Sequence, residues 1–359
     1  MVSRRNLIIG GVVVVAAVGV GVAVAGNNNS DSNKKNFSVA MVTDVGGVDD
    51  KSFNQSAWEG LQKWGKSHDL KKGKDGYDYF ASKTNADFAT NFQQAVSAGY
   101  NMVVGVGYAT HDALVASAKN NEKTDYVLVD DVVDSKYKNV ASLMFKQEEA
   151  SYLAGVAAAT QAKELGDKKV GFIGGMNSAV IQAFEAGYIA GVKSVDPNMT
   201  VDTQIVESFT DAAKAKTMAA AMYTTGAHVI FHAAGPAGNG VFTAAKDIDT
   251  GLDADSKDKV WVIGVDMDQH DSGNYKSKDG KSANMTLTSA VKEVGSSLVK
   301  LANQSMKGEF PGGKTTTFGL KENGVAVTKQ NLDDAEKTAV EKAEKAIKSG
   351  EVKVPSTLK

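Results

Sequence analysis

From Phe37 onward, short apolar runs alternate with longer amphipathic stretches. The first run, residues 37–42, turns polar and glycine-rich at 43–50 and then enters a helix-compatible segment near Ser52. The same alternation predicts strands at 77–81, 101–106, 126–129 and 140–145, and helices at 87–98, 111–120 and 147–163. The pattern then restarts. Strands are expected at 169–173, 200–206, 228–233, 260–265 and 285–289, and helices at 178–194, 212–223, 241–247 and 291–306. Strands that are apolar throughout, separated by helices, imply parallel sheets covered on both faces. Two such α/β lobes in succession suggest a two-lobed binding protein, with loops at the strand C-termini facing one cleft.

The loop at 43–54 carries Asp44, Asp49, Asp50, Phe53 and Asn54. Open α/β sheets bind ligands just beyond the carboxyl ends of their strands. Several acceptors, an aromatic ring and an amide at a helix start suit a flat polar ligand better than a bare phosphate, which the acidic loop would repel.

The first residues read as an export signal. Arg4 and Arg5 form a positive start, residues 7–25 are uncharged and mostly apolar, and Ala23-Val24-Ala25 is a small-residue cleavage site. Val24-Ala25-Gly26 also matches the first three positions of a bacterial lipobox, but Asn27 stands where the lipidated Cys belongs. A thioether needs a thiol, so a conventional lipid anchor is not expected. The expected organisation is a leader at 1–26, a polar tether at 27–36, a first lobe at 37–146 with about 267–310, and a second lobe at 147–266 with about 311–350.

Composition narrows the function. The chain of 359 residues has no Cys, which removes disulfides and Cys-ligated metals. Its 40 basic and 42 acidic residues leave no cationic excess for nucleic acid. Beyond the leader, about 325 residues are enough for two packed lobes. Enzyme signatures fail one by one. Gly46 to Ser52 ends in Lys51-Ser52, but Asp50 occupies a position that a phosphate-binding loop gives to Gly. Gly105 with Gly107, and Gly238 with Gly240, lack the third glycine of a dinucleotide fingerprint. There is no nucleophile elbow and no paired-His metal motif, and the five His are scattered.

One ordered set of segments is specific. It comprises Val42-Thr43-Asp44, Lys51-Ser52-Phe53-Asn54-Gln55, Trp58-Glu59-Gly60, Gly171-Phe172-Ile173-Gly174-Gly175-Met176 and Phe184-Glu185-Ala186-Gly187-Tyr188. It continues with Gly235-Pro236-Ala237-Gly238-Asn239-Gly240-Val241-Phe242 and Val262-Ile263-Gly264-Val265-Asp266, then Asp268-Gln269. The set resembles the basic membrane protein family of ABC-transporter substrate-binding proteins, the PnrA-like nucleoside binders. The resemblance runs from about 37 to 348 and departs at Asn27.

That resemblance implies a type I periplasmic-binding-protein fold, with two Rossmann-like α/β lobes and a hinge crossed more than once. It implies that Phe53 and Phe209 sandwich a purine, and that Asn54 and Asp130, rather than Asp131, read the base edge. Asp266 and Lys292 match the ribose-binding pair, and Gly235 a position where backbone approaches the sugar. Asp44 either orients its loop or touches the ligand. The expected function is extracytoplasmic capture of nucleosides, purine nucleosides favoured, for delivery to a membrane permease. The protein is expected to be a monomer with no cofactor, no metal and no catalytic group. A sugar or autoinducer binder of the same fold, or a nucleoside-processing enzyme, is the alternative.

Overall fold

The computed structural model describes residues 37–358, so the expected leader, tether and Asn27 lie outside the described residues. The first half of the chain runs β1 (Val39–Val42), α1 (Phe53–Ser67), β2 (Tyr77–Phe80), α2 (Asp87–Ala98), β3 (Met102–Gly105), α3 (His111–Asn120), β4 (Asp125–Val129), β5 (Val140–Phe145) and α4 (Gln147–Leu165). It continues with β6 (Lys169–Gly174), α5 (Ala179–Val195), β7 (Thr200–Ile205), α6 (Ala212–Thr224), β8 (Val229–Ala233), α7 (Asn239–Asp249) and β9 (Trp261–Asp266). The last elements are β10 (Asn274–Lys276), β11 (Ser282–Asn284), β12 (Thr286–Lys292), α8 (Val294–Met306), β13 (Thr315–Phe318), β14 (Val325–Val327) and α9 (Asp334–Ser349).

Two six-stranded sheets result, ordered β13-β5-β4-β3-β1-β2 and β14-β12-β9-β8-β6-β7. Every pairing in the first is parallel. The second is parallel except where β14 pairs antiparallel with β12. The central strands β1, β3 and β8 are buried along their whole length, as their largely apolar runs require, and His232 in β8 is buried with them.

Strand pairing cuts across the expected division of the chain. Residues 267–310 were assigned to the first lobe, yet β12 lies in the second sheet beside β9. Residues 311–350 were assigned to the second, yet β13 extends the first sheet beside β5. The chain therefore passes between the sheets near Phe145–Gln147, Lys292–Val294 and Phe318–Val325. These passages are stitched together by backbone bonds from Lys146 N–H to the Phe318 carbonyl and from Glu293 N–H to the Gly324 carbonyl, both 2.9 Å. The helix expected from residue 291 begins instead at Val294. Residues 291 and 292 stay in β12 because they pair with Ala326 and Val325. Lys292 is thus a strand-end residue beside a crossing.

Helices α1 and α8 meet at Gly60 and Gly295, where a Cβ on Gly60 would lie 2.2 Å from the Gly295 Cα. Only glycine permits that approach, and it fixes how α8 packs on the first sheet's helix layer. Among the described residues, no helix is long and apolar enough to cross a membrane.

Candidate ligand-binding site

Strand order reverses direction between β1 and β3 in the first sheet and between β6 and β8 in the second. In doubly wound sheets such a reversal opens a crevice beyond the strand C-termini, and ligands bind there. Here both crevices open onto one cavity of about 430 Å³. Asp44, Gly107 and Tyr108 reach it from the first sheet, and Met176, Gly235 and Pro236 from the second. The volume falls in the range of small-molecule pockets.

The β1–α1 loop is held by its own carboxylates. Asp50 Oδ1 accepts from the N–H groups of Ser52 (2.9 Å) and Gln55 (3.0 Å). Its Oδ2 accepts from the N–H and the Nδ2 of Asn54, both at 2.9 Å. Asp50 thereby caps α1 and frees the Ser52 hydroxyl, which donates to Asp266 Oδ2 of the second sheet at 2.6 Å. Asn54 is buried and its amide is spent inside the loop, donating to Asp44 Oδ1 at 2.6 Å and accepting from Asp44 N–H at 3.1 Å. It does not line the cavity, so its place in this geometry is behind Asp44 rather than against a ligand.

Three carboxylate residues on the cavity, Asp130, Glu207 and Asp266, have left-handed backbone with φ of 67°, 57° and 66°. Each stands at a strand's C-terminal end, after β4, after β7 and at the close of β9. Such a conformation costs a non-glycine residue about 1 kcal/mol or more, and Asp bears it best. The turn aims all three side chains off the sheet edge toward the cavity.

Lys292 Nζ donates to Asp130 Oδ2 at 2.5 Å, and both groups are buried. The ammonium also lies 4.7 Å from the centre of the Phe53 ring, 5.3 Å from Phe145 and 5.9 Å from Phe184. The family resemblance groups Lys292 with Asp266 as a ribose-binding pair; here the direct partner of Lys292 is Asp130, while Asp266 is held by Ser52. Burial pushes Asp266 up to about 6, against the lowering by the Lys292 charge and the Ser52 hydroxyl. Burial likewise raises Asp44 to about 6, opposed by hydrogen bonds from Gly46 N–H and Asn54. The other oxygen of Asp130, Oδ1, is buried and has no partner.

Phe53, the first residue of α1, and Phe209, in the β7–α6 loop, both line the cavity. Each ring rests against a glycine. A Cβ on Gly107, whose φ is 98°, would sit 3.4 Å from Phe53 Cε1, and one on Gly175 only 2.3 Å from Phe209 Cδ1.

Of the eight residues singled out from the sequence, Asp44, Phe53, Asp130, Phe209, Gly235, Asp266 and Lys292 come together on this cavity, and Asn54 lies behind it. Asp131 is turned outward to His111, whose Nδ1 is 2.7 Å from Asp131 Oδ2. Asp50, named in the sequence only as one acceptor of its loop, also lines it, as do Tyr108, Glu207, Met176 and Phe184, to which sequence reasoning gave no ligand role. For Tyr108 and Glu207 the signal was their place just past a predicted strand. Phe184, inside a helix, gave no such signal. Among the described residues, no group of three or more His, Asp or Glu side chains could hold a metal ion.

The family model for PnrA-like ABC transporter substrate-binding proteins, Bmp, matches residues 37–357. An ABC transporter nucleoside-binding protein, BmpA, from Lactococcus lactis is 49% identical over 323 residues, 90% of this chain and 90% of that protein. A CD4+ T-cell-stimulating antigen of Listeria monocytogenes is 45% identical over 352 residues, 98% of this chain and 96% of its own length. Among solved structures, an ABC transporter solute-binding protein from Aeropyrum pernix shares the fold with a TM-score of 0.76 at 22% identity, covering 90% of this chain and 94% of that one. The arabinose-binding protein AraP of Geobacillus stearothermophilus aligns with a TM-score of 0.57 at 16% identity, over 82% and 96%. The fold is that of periplasmic solute-binding proteins, and the chain belongs to the Bmp family of PnrA-like ABC-transporter substrate-binding proteins.

Proposed function

We propose that this chain captures nucleosides, purine nucleosides above others, outside the cytoplasm and delivers them to the permease of an ABC importer. The observation that carries the reading is the pairing of Phe53 and Phe209, one from each sheet's loops, on a cavity otherwise walled by apolar side chains such as Val45, Phe88, Met176 and Ile181, with five carboxylates and the Lys292 ammonium among them. Two rings offer a flat base a stacking surface worth about 1–3 kcal/mol per ring. Asp130 Oδ1 lacks a donor, and a base N–H or a sugar hydroxyl supplies one. Asp266 and Lys292 then face the sugar, with Gly235 close beside it. The name of the Lactococcus relative, a nucleoside-binding protein, points the same way.

Capture works through the three crossings between the sheets. Ser52 to Asp266, Lys292 to Asp130, and Gln269 Nε2 to the Lys51 carbonyl at 2.7 Å all join the β1–α1 side to the β9–β12 side around the cavity. A ligand stacked between rings from both sheets adds to these contacts only when the lobes are together, so it shifts the population toward closure. The closed form is the one that docks on the permease. Binding without turnover is the expected chemistry.

Native mass spectrometry of the purified protein, before and after denaturation, tests the reading. A released mass equal to a nucleoside supports it. A pentose or hexose mass would move the assignment to the sugar-binding branch of the same fold.

A further inference from the structure

We infer that Asp50 is a specificity-determining residue that makes the cavity reject nucleoside phosphates while admitting neutral nucleosides. The inference rests on the nucleoside reading above and concerns how the same site discriminates.

Helix N-termini attract anions because their first N–H groups are unpaired and the helix dipole is positive there. The N-terminus of α1 borders the cavity, where Phe53 opens the helix. The N–H groups of Asn54 and Gln55 in its first turn are not available to a ligand phosphate. The carboxylate of Asp50, 3% exposed, already accepts from Ser52, Asn54 and Gln55. The position that would hold a phosphate is thus filled by a fixed negative charge.

The rest of the wall points the same way. Among the described residues, the lining carries five carboxylates, Asp44, Asp50, Asp130, Glu207 and Asp266, against the single ammonium of Lys292. That ammonium is already committed to Asp130. The unpartnered, buried Oδ1 of Asp130 asks for a donor, and a fully ionised phosphate group brings none of its own. A sphere of the cavity's volume is roughly 9 Å across, so a phosphate inside it cannot get far from any wall carboxylate. Two like charges about 9 Å apart, at an effective dielectric of about 20, disfavour binding by roughly twentyfold.

The test compares a purine nucleoside with its 5′-monophosphate by calorimetric titration, using wild type, Asp50→Ser, Asp50→Asn and Asp49→Asn. Serine keeps a short helix-capping oxygen without the charge. Asp49 is exposed and off the cavity, so Asp49→Asn removes the same charge from the same loop as a control. Wild type should favour the nucleoside by at least about tenfold. Asp50→Ser or Asp50→Asn should narrow that ratio by about tenfold, and Asp49→Asn should leave it unchanged. Equal affinity of wild type for both ligands would overturn the inference. So would an unchanged ratio in both Asp50 variants, or a parallel loss of both ligands, which would make Asp50 a loop-folding residue only. Failure of wild type to bind any nucleoside would instead count against the proposed function. In that case, thermal unfolding with added inorganic phosphate still decides the role of Asp50: only the Asp50 variants should be stabilised, and phosphate leaving their midpoints unmoved would overturn it.

Discussion

Replacing Lys292 with methionine removes one charge and keeps an unbranched side chain of similar reach. Lys292 is 2% exposed and bonds Asp130, itself 7% exposed, at 2.5 Å. Removing one member of a buried ion pair leaves the other charged and dry, and typically costs about 3–5 kcal/mol. For a chain of this size that is a fall of about 5–15 °C in the thermal midpoint near neutral pH. The loss should depend on pH, and its sign follows from Asp266. Burial sets that carboxyl at about 6 in the fold against the ordinary aspartate value of 3.8. A carboxyl raised in this way favours folding most below its unfolded value, and that contribution is lost as pH rises through about 6. Lys292 is the leading influence holding Asp266 down, so the variant's folded value lies higher still. Acidification should therefore restore the variant more than wild type, and the gap between them should be smaller at pH 5 than at pH 7.5. His232, held at about 4 by burial, titrates in the same window with the opposite sign. It is present in both proteins and cancels in the difference. Calorimetric or fluorescence melts across this range make the measurement. A gap that stays constant from pH 7.5 to 5 would refute the reasoning, because the loss would then be one of packing and not of uncompensated charge.

Phe53→Ala and Phe209→Ala should each weaken nucleoside binding by about 1–3 kcal/mol in calorimetric titration. Only Phe53→Ala should also lower the melting midpoint, since it alone removes a ring lying 4.7 Å from the Lys292 ammonium. Gly175→Ala, whose new Cβ would fall 2.3 Å from Phe209 Cδ1, should displace that ring and reproduce most of the Phe209→Ala affinity loss without comparable loss of stability. Gly60→Ala forces α1 away from the α8 backbone and should cost about 1–3 kcal/mol in urea unfolding while leaving the affinity of the folded protein nearly unchanged. His232→Leu should remove a loss of stability that wild type suffers as pH falls from 6.5 toward about 4, seen as a flatter acid limb in denaturation midpoints.

The sheets were legible because parallel strands buried on both faces must be mostly apolar, and β1, β3, β4, β5, β6 and β8 are, the polar exceptions being Asp125, Ser142, Lys169 and His232. The site was legible for a related reason. Asp44 and Asp130 directly follow the runs of β1 and β4 and lie on the crevice, whereas Asp131, one residue further, turns outward to His111; Phe209, Gly235 and Asp266 also lie on the crevice, and their roles were read through the family resemblance. Lys292 was found through the family resemblance, and its setting was misread. The run through 291 and 292 suits a helix start, and only pairing with β14, a three-residue strand distant in sequence, keeps it extended. The short strands β13 and β14 escaped for the same cause, since their sheet membership is decided by neighbours and not by their own pattern. Asn54 shows the limit of residue-type reasoning. An amide at a helix start can read a ligand or brace a loop, and only the positions of Asp44 and Asp50 decide between them.

The most direct test is a calorimetric titration of the purified, ligand-stripped protein with a purine nucleoside, its free base and its free pentose. Rings from both sheets and a polar wall in one cavity predict that the nucleoside binds at least about tenfold more tightly than either fragment, because each fragment leaves half of the site unpaired. A pentose that binds as tightly as the nucleoside, or a nucleoside that gives no heat at millimolar concentration, would contradict the claim that this cavity is built for a nucleoside.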